Sequence, residues 1–384
     1  MPGRKSTRWI CLMIIGLLGL CSCSSPSSNL KEEKAEQTQQ TLVYEKTMEL
    51  KYAENFQVDY YEGGYTMLLL PMEHTKFLVV PEGMEEPSGL EKDIIVLNRP
   101  IQNLYVVASS VMDMFQELDS LDTIAFSGQK EENWYIEGAK KAMQEGKMQY
   151  AGKYNQPDYE RIVSGNCSLA IENMMISHAP EVKEKLNEFG IPVMIERSSY
   201  ETHPLGRVEW VKFFGALLGK EKEAEEIFQK QEEILKKVTG EEKTGKTVAF
   251  FFVTSNGMIQ VRQSNDYIPK MIELAGGTYV FSDLGEDSTK RSTINMQVEE
   301  FYNGAKDADF LIYNSSIDGG VKNLEQLLEK CDVLKDFKAV KEGNVWCTTN
   351  NMYQQSLSIG YLMEDIYKML REKESQMQYL YPLR

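Results

Sequence analysis

Residues 204–238 read PLGRVEWVKFFGALLGKEKEAEEIFQKQEEILKKV, and the fold turns on how this stretch divides. From Val208 to Leu218, apolar residues fall on nearly every side: Val208, Trp210, Val211, Phe213, Phe214, Ala216, Leu217 and Leu218. A helix that is apolar all round is a buried one. Gly219 suits its C-terminal cap. Residues 220–238 predict a second helix of another kind. Ala224, Ile227, Phe228, Ile234, Leu235 and Val238 make one stripe among Glu and Lys, at spacings of three, four and seven. That is the pattern of a surface helix with one packed face. At 1.5 Å per residue it spans roughly 28 Å, about the width of a small domain. Alone, the stretch also fits an amphipathic helix inside one domain. Its flanks decide for a helical joint between two similar halves.

On both sides of the joint, strand and helix alternate. Before it, short apolar strands are expected at 103–108, 123–126, 168–171 and 191–196, with another ending at 150–152. Helices are expected over 109–118, 134–145, 157–163 and 181–189. Ser109 or Ser110 suits an N-cap, and Pro157 a position near the first of its helix. After the joint, strands are expected at 247–254, 279–281, 310–313 and 344–347. Helices follow at 267–275, 299–306, 324–328 and 357–373. Alternation at this period means a parallel sheet covered by helices. The expected fold is α/β: two α/β lobes with mainly parallel sheets, joined by a long linking helix, with a cleft between them. Ahead of the first lobe, residues 42–97 are β-rich, with strands at 56–60, 65–70 and 76–80 and a turn at Gly63–Gly64. They predict a small sheet, or an edge added to the first lobe. The division is 1–22 signal, 23–41 tether, 42–205 first lobe, 206–240 linking helices and 241–384 second lobe.

The N-terminus carries an address. Arg4, Lys5 and Arg8 precede the short apolar run WICLMIIGLLGL, then Leu20-Cys21-Ser22-Cys23. The run is short for a membrane span and fits a secretory signal. It also resembles a bacterial lipoprotein signal, in which a small residue precedes the modified cysteine. That places the lipid on Cys23, behind Ser22, rather than on Cys21, behind Leu20. Residues 24–40 are Ser, Glu, Lys and Gln with almost nothing to bury, and read as a flexible tether.

Three of the 42 basic residues and none of the 58 acidic ones lie in the leader, so the mature chain holds 39 against 58, a formal charge of −19. Such a chain repels nucleic acid, and polyanion binding is discarded. Beyond the leader remain Cys167, Cys331 and Cys347, an odd number at wide spacings. They read as buried free thiols, with a Cys331–Cys347 disulfide as the alternative.

No phosphate loop, dinucleotide fingerprint, HExxH or Gly-x-Ser-x-Gly is present. His74, His178 and His203 are too few and too scattered for a site holding a bare metal ion. In parallel α/β sheets, ligands sit beyond the carboxyl ends of the strands. Those ends are polar and aromatic here. The candidates are Trp134, Tyr135, Tyr154, Asn173, Arg197, Tyr200, Asn256, Arg262 and Asn314. Arg offers a fork of donors, and Tyr and Trp flat faces with polar tips. The set suits a bulky, oxygen-rich, anionic ligand. Each Tyr or Trp equally suits packing, and each Arg a surface ion pair. Glu160 and Glu299 stand at two helix starts, each a few residues before a strand. Favour from the helix dipole explains acids there without a further role.

Several stretches in this order resemble a known family. They are residues 157–163 ahead of 169–171, YETHPLGRVEWVK at 200–212, KMIELAGG at 270–277, 298–302 ahead of 309–313, and FKAVKEGNVW at 337–346. The chain from Arg99 onward resembles the substrate-binding lipoproteins of ABC importers. The match is to the helical-backbone class that takes iron–siderophore complexes, haem and cobalamin. The resemblance implies two lobes bridged by a long helix, a cleft for the ligand and little hinge motion. It implies no catalysis and no cofactor. The ligand would be an iron chelate, or else haem or cobalamin. For haem, His203 and Tyr200 are axial candidates. It further implies a permease with its ATPase as partner, a lipid anchor on the outer face of the cell membrane, and a monomer. By position, Glu160 and Glu299 would pair with permease arginines, with Glu300 a rival for the second. The β-rich segment 42–97 and the polar insert 129–133 depart from the family, and the insert puts the first-lobe pocket in doubt. The other classes to weigh are a secreted hydrolase or metal-dependent enzyme, and an adhesion or scaffold lipoprotein.

Overall fold

In the computed structural model, which describes residues 42–285, 292–371 and 376–384, the joint is two helices meeting at Gly219. The first, Pro204–Leu218, is buried at every position except Arg207 and Leu218. Ridges of Trp210, Phe213 and Phe214 leave no solvent face. The helix starts where His203 Nδ1 accepts from the Leu205 amide at 3.1 Å, and stops at Gly219, whose φ of 77° an L side chain rarely adopts. The second helix, Glu221–Thr239, buries Ala224, Phe228, Leu235 and Val238. Ile227 and Ile234 flank that stripe, half-buried. The C-terminal helix Ile359–Leu370 packs on both.

The first lobe is built on an all-parallel five-stranded sheet. Its order is Val193–Ile195, Ala170–Glu172, Leu104–Val106, Ile124–Ser127, Gln149–Tyr150. The second lobe holds a seven-stranded sheet that is parallel only at its centre. There Thr247–Val253 lies between Phe310–Tyr313 and Thr278–Tyr279, and Val345–Thr348 continues the row. Antiparallel strands Ile259–Arg262, Thr293–Met296 and Leu380–Pro382 complete it. These three were not expected from the strand–helix alternation. The dipeptide Asn256-Gly257, a hairpin signal, announces the first of them.

Three starts differ from expectation. The helix Ser109–Glu117 begins after Ala108, with no side-chain cap from either serine. Trp134 precedes its helix, which runs Glu137–Gln144. Pro157 precedes Tyr159–Ser164, whose cap is Asp158, accepting from the Arg161 amide at 3.1 Å. Cys167, Cys331 and Cys347 are buried and free. The signal, the tether, Cys23 and the last residues expected of the C-terminal helix, 372 and 373, lie outside the described residues.

The β-rich segment forms a separate five-stranded sheet rather than an edge of the first lobe. Tyr44–Thr47, Gln57–Tyr61, Tyr65–Leu70 and Thr75–Val80 run antiparallel in sequence order, and Ile94–Asn98 joins parallel. It is fastened to the first linking helix. Glu209, fully buried within that helix, accepts from the amides of Lys51 (3.0 Å), Tyr52 (2.8 Å) and Ala53 (2.9 Å). Glu201 accepts from the next two, Glu54 and Asn55, both at 3.0 Å, and from Trp210 Nε1 at 2.9 Å. Phe56 then packs on Trp210 and Phe213, at 4.9 and 5.3 Å between centroids. At Gly206 the approach is so close that a Cβ would sit 2.9 Å from the Tyr52 carbonyl oxygen. Removing Glu209 strands three amides and leaves Lys212, 3.4 Å from it, without that partner. Glu209→Ala is expected to cost about 3–5 kcal/mol in urea unfolding, with Glu209→Gln milder.

Candidate functional site: a cleft between two lobes

The carboxyl ends of the first sheet and the loops of the second lobe face one another. Two adjoining cavities of about 660 and 330 Å³ lie between them and share Ser199, Tyr200, Arg207, Tyr267 and Tyr353. The first lobe contributes Ser110, Asn173 and the turn after Val193–Ile195, including Arg197 and Tyr200. The second lobe contributes Arg262 and Tyr267 to the larger cavity, and Met352 and Ser356 to the smaller. One end is rich in guanidinium groups. The other is lined by hydroxyls with Met174, Met175 and Met352.

Three arginines in the cleft each lie near a tyrosine ring. The Arg207 guanidinium stacks 3.5 Å from the Tyr267 centroid, and donates to the carbonyls of Ser199 and Glu201. Arg262 lies 5.4 Å from the Tyr353 ring and Arg197 5.7 Å from Tyr200. Arg262 donates to the Tyr353 hydroxyl, which Asn314 Nδ2 also reaches at 2.8 Å. Its backbone is clamped by the Tyr279 hydroxyl, which accepts from its amide at 3.0 Å and donates to its carbonyl at 2.9 Å. Asp266 stands 3.6 Å from Arg262, and Glu73 2.5 Å from Arg197. Among the described residues, no carboxylate lies within 4 Å of Arg207.

The lobes also touch directly. The Gln354 carboxamide accepts from the Tyr135 amide and donates to the Asn133 carbonyl, both at 2.7 Å. Ser356 Oγ donates to the Ser110 carbonyl at 2.7 Å, and the Leu357 amide to Asp113 Oδ2 at 2.9 Å. Burial pushes the Asp113 carboxyl up to about 7, although the Leu357 amide opposes this.

The sequence candidates divide accordingly. Arg197, Tyr200 and Arg262 line the cleft. Asn314 does not reach it and instead braces Tyr353. Tyr154 and Asn173 line a third cavity of about 410 Å³ within the first lobe, whose wall includes Gln129, Lys130, Glu132 and Asn133 of the polar insert. Asn173 also borders the cleft. Trp134 is a core residue, its Nε1 held 3.1 Å from Ser127 Oγ. Tyr135 contributes its backbone, and its ring is exposed outside the cavities. Asn256 sits at a hairpin tip, bound by Thr254 Oγ1. His203 spends Nδ1 on its helix cap and stacks on Tyr52 at 4.3 Å, so it does not face the cleft as an axial ligand would. Arg207, Tyr267 and Tyr353 were missed. Tyr353 follows the last parallel strand, where the strand-end rule points. Glu160 and Glu299 are exposed in the first turns of Tyr159–Ser164 and Val298–Ala305.

A model of the periplasmic binding protein family matches residues 106–351. The chain belongs to that family. Two uncharacterized lipoproteins of Methanocaldococcus jannaschii are 28% and 25% identical to it. They cover 91% and 97% of this chain, and 87% and 97% of their own. Among solved structures, a petrobactin-binding protein from Bacillus subtilis superposes with TM-score 0.56 at 15% identity, over 72% of this chain and 93% of its own. A periplasmic haem-binding protein from Vibrio cholerae gives 0.56 at 13%, over 70% and 98%. Residues 42–98 precede the span that the family model matches.

Beside the cleft lies a buried acid. Glu172 ends the strand Ala170–Glu172, fully buried, and neither oxygen has a hydrogen bond among the described residues. Burial lifts it from 4.5 to about 8. The folded protein therefore keeps a proton that the unfolded chain releases. That contribution is complete below pH 4.5 and fades as pH rises to about 8. Glu172→Gln is expected to gain stability relative to wild type by up to about 1.4 kcal/mol per pH unit across that window, read from urea unfolding at pH 5 and pH 8.

Proposed function

We propose that this protein is the membrane-tethered receptor of an ABC importer, binding an iron chelate between its lobes and delivering it to a permease. It does no chemistry on its cargo. One observation carries this reading: arginines and tyrosines from both lobes converge on a single cleft. Flat aromatic faces and guanidinium forks suit an oxygen-rich chelate, whose donor oxygens carry negative charge. The haem- and petrobactin-binding neighbours support the same ligand chemistry. The lipid at Cys23 would hold the receptor at the outer face of the cell membrane. Haem is the second reading, favoured by the exposed Tyr200 in the cleft, whose phenol is a possible iron ligand.

The test is a titration of the purified mature chain with ferric tris-catecholate, ferric trihydroxamate, haem and a corrinoid, followed by tryptophan fluorescence and thermal shift. At least one is expected to bind. Silence from all four sinks the reading. Arg207→Ala is expected to weaken the productive ligand by tenfold or more, since it removes a cation that, among the described residues, has no carboxylate within 4 Å. Glu160→Ala with Glu299→Ala is expected to leave that affinity unchanged and to abolish uptake by cells. Normal uptake in the double variant would remove those two positions from permease docking.

A further inference from the structure

The five-stranded sheet ahead of the first lobe reaches the cleft. Asn55 and Met72 line its larger cavity beside Arg197 and Tyr200. Asn55 is held there by its amide on Glu201. Met72 is half exposed, on the turn Pro71–Glu73 between two strands of the sheet. The next residue, Glu73, grips Arg197. One oxygen accepts from Nε at 2.6 Å and lies 2.5 Å from the second nitrogen. Arg197 is buried and the Glu73 side chain nearly so. A buried guanidinium bound this closely by a carboxylate has its charge offset and part of its donor fork occupied.

From this geometry we infer that residues 42–98 form a third wall of the ligand cleft, and that Glu73 sets the charge which the cleft presents by holding Arg197. Glu73 is a positioning residue: it acts through Arg197. Met72 limits the size of what enters. The wall is anchored independently of any ligand, through the five successive amides bound by Glu209 and Glu201. The part of the inference that concerns ligand charge rests on reading the cleft as a chelate site.

Three measurements test it. The first needs no ligand. A dicarbonyl reagent specific for arginine is applied to wild type and to Glu73→Ala, and the modified peptides are mapped by mass. Arg197 is expected to be protected in wild type and to react several-fold faster in the variant. Equal rates overturn the Glu73–Arg197 pairing, whatever the cargo. The second compares ferric tris-catecholate, a trianion, with a neutral ferric trihydroxamate on Glu73→Gln. One added positive charge is expected to tighten the trianion roughly fivefold or more and to leave the neutral chelate unchanged. A variant that merely damaged structure would weaken both, and that result, or no change in either, overturns the charge-setting role. The third is Met72→Trp, at an exposed position on the turn Pro71–Glu73. It is expected to weaken by at least tenfold a chelate that wild type binds, and unaltered binding overturns the wall. Should wild type bind nothing in the panel, the receptor reading fails, and the first measurement still decides the pairing.

Discussion

Two buried carboxylates fasten this molecule together. Glu209 and Glu201 take five consecutive backbone amides, from Lys51 to Asn55, onto the helix that joins the lobes. An ionised acid without a cation would be costly in such a place. Here backbone dipoles meet most of the need, and Lys212 stands 3.4 Å from Glu209. The N-terminal sheet is thereby registered against the joint to within a hydrogen-bond length. Everything that sheet brings to the cleft follows from that registration. So does the close contact at Gly206, where backbone meets helix with no room for a side chain.

The cleft is a second case of charge managed by local partners. Arg262 has Asp266 and two tyrosines, Arg197 has Glu73, and Arg207 has a tyrosine face and two carbonyls. Carboxylates at two of the three arginines keep the cavity from being a simple well of positive charge. The Arg207 guanidinium, 3.5 Å from the Tyr267 centroid and bonded to two carbonyls, is already oriented, so little of its side-chain freedom would remain to be lost when a guest arrives. All of this geometry lies within the described residues from 42 onward.

Much of the fold was legible because burial writes a period into the chain. The all-apolar face of 208–218 and the single stripe of 220–238 identified the joint and its two characters. The parallel strands showed as short runs bounded by polar turns. What escaped has physical reasons. Ile259–Arg262 is the return arm of a hairpin with Thr247–Val253, and Thr293–Met296 pairs antiparallel with it, so a βα period registers neither; Asn256 was taken for a ligand contact when it sits in the turn of that hairpin. Trp134 looks the same in sequence whether it stacks on a guest or fills a core. Glu209 and Lys212 are charged residues buried inside an apolar helix, and a charge that far from solvent implies a partner. That signal was present. The partner of Glu209, the run 51–53, is over 150 residues away in sequence, and no local pattern connects them.

The clasp formed by Gln354 restricts how the cleft could admit a guest. Its carboxamide uses both its donor and its acceptor on the opposite lobe, and Leu357 adds a bond to a buried aspartate nearby. Swinging the lobes apart would break these bonds together. On the proposed reading, entry would then fall to exposed side chains at the mouth, such as Tyr200 and Met72, a class of side chain that turns on nanosecond scales. On the proposed reading, the molecule would act as a socket with a fixed frame, and its selectivity would come from the shape of the socket rather than from a closing jaw.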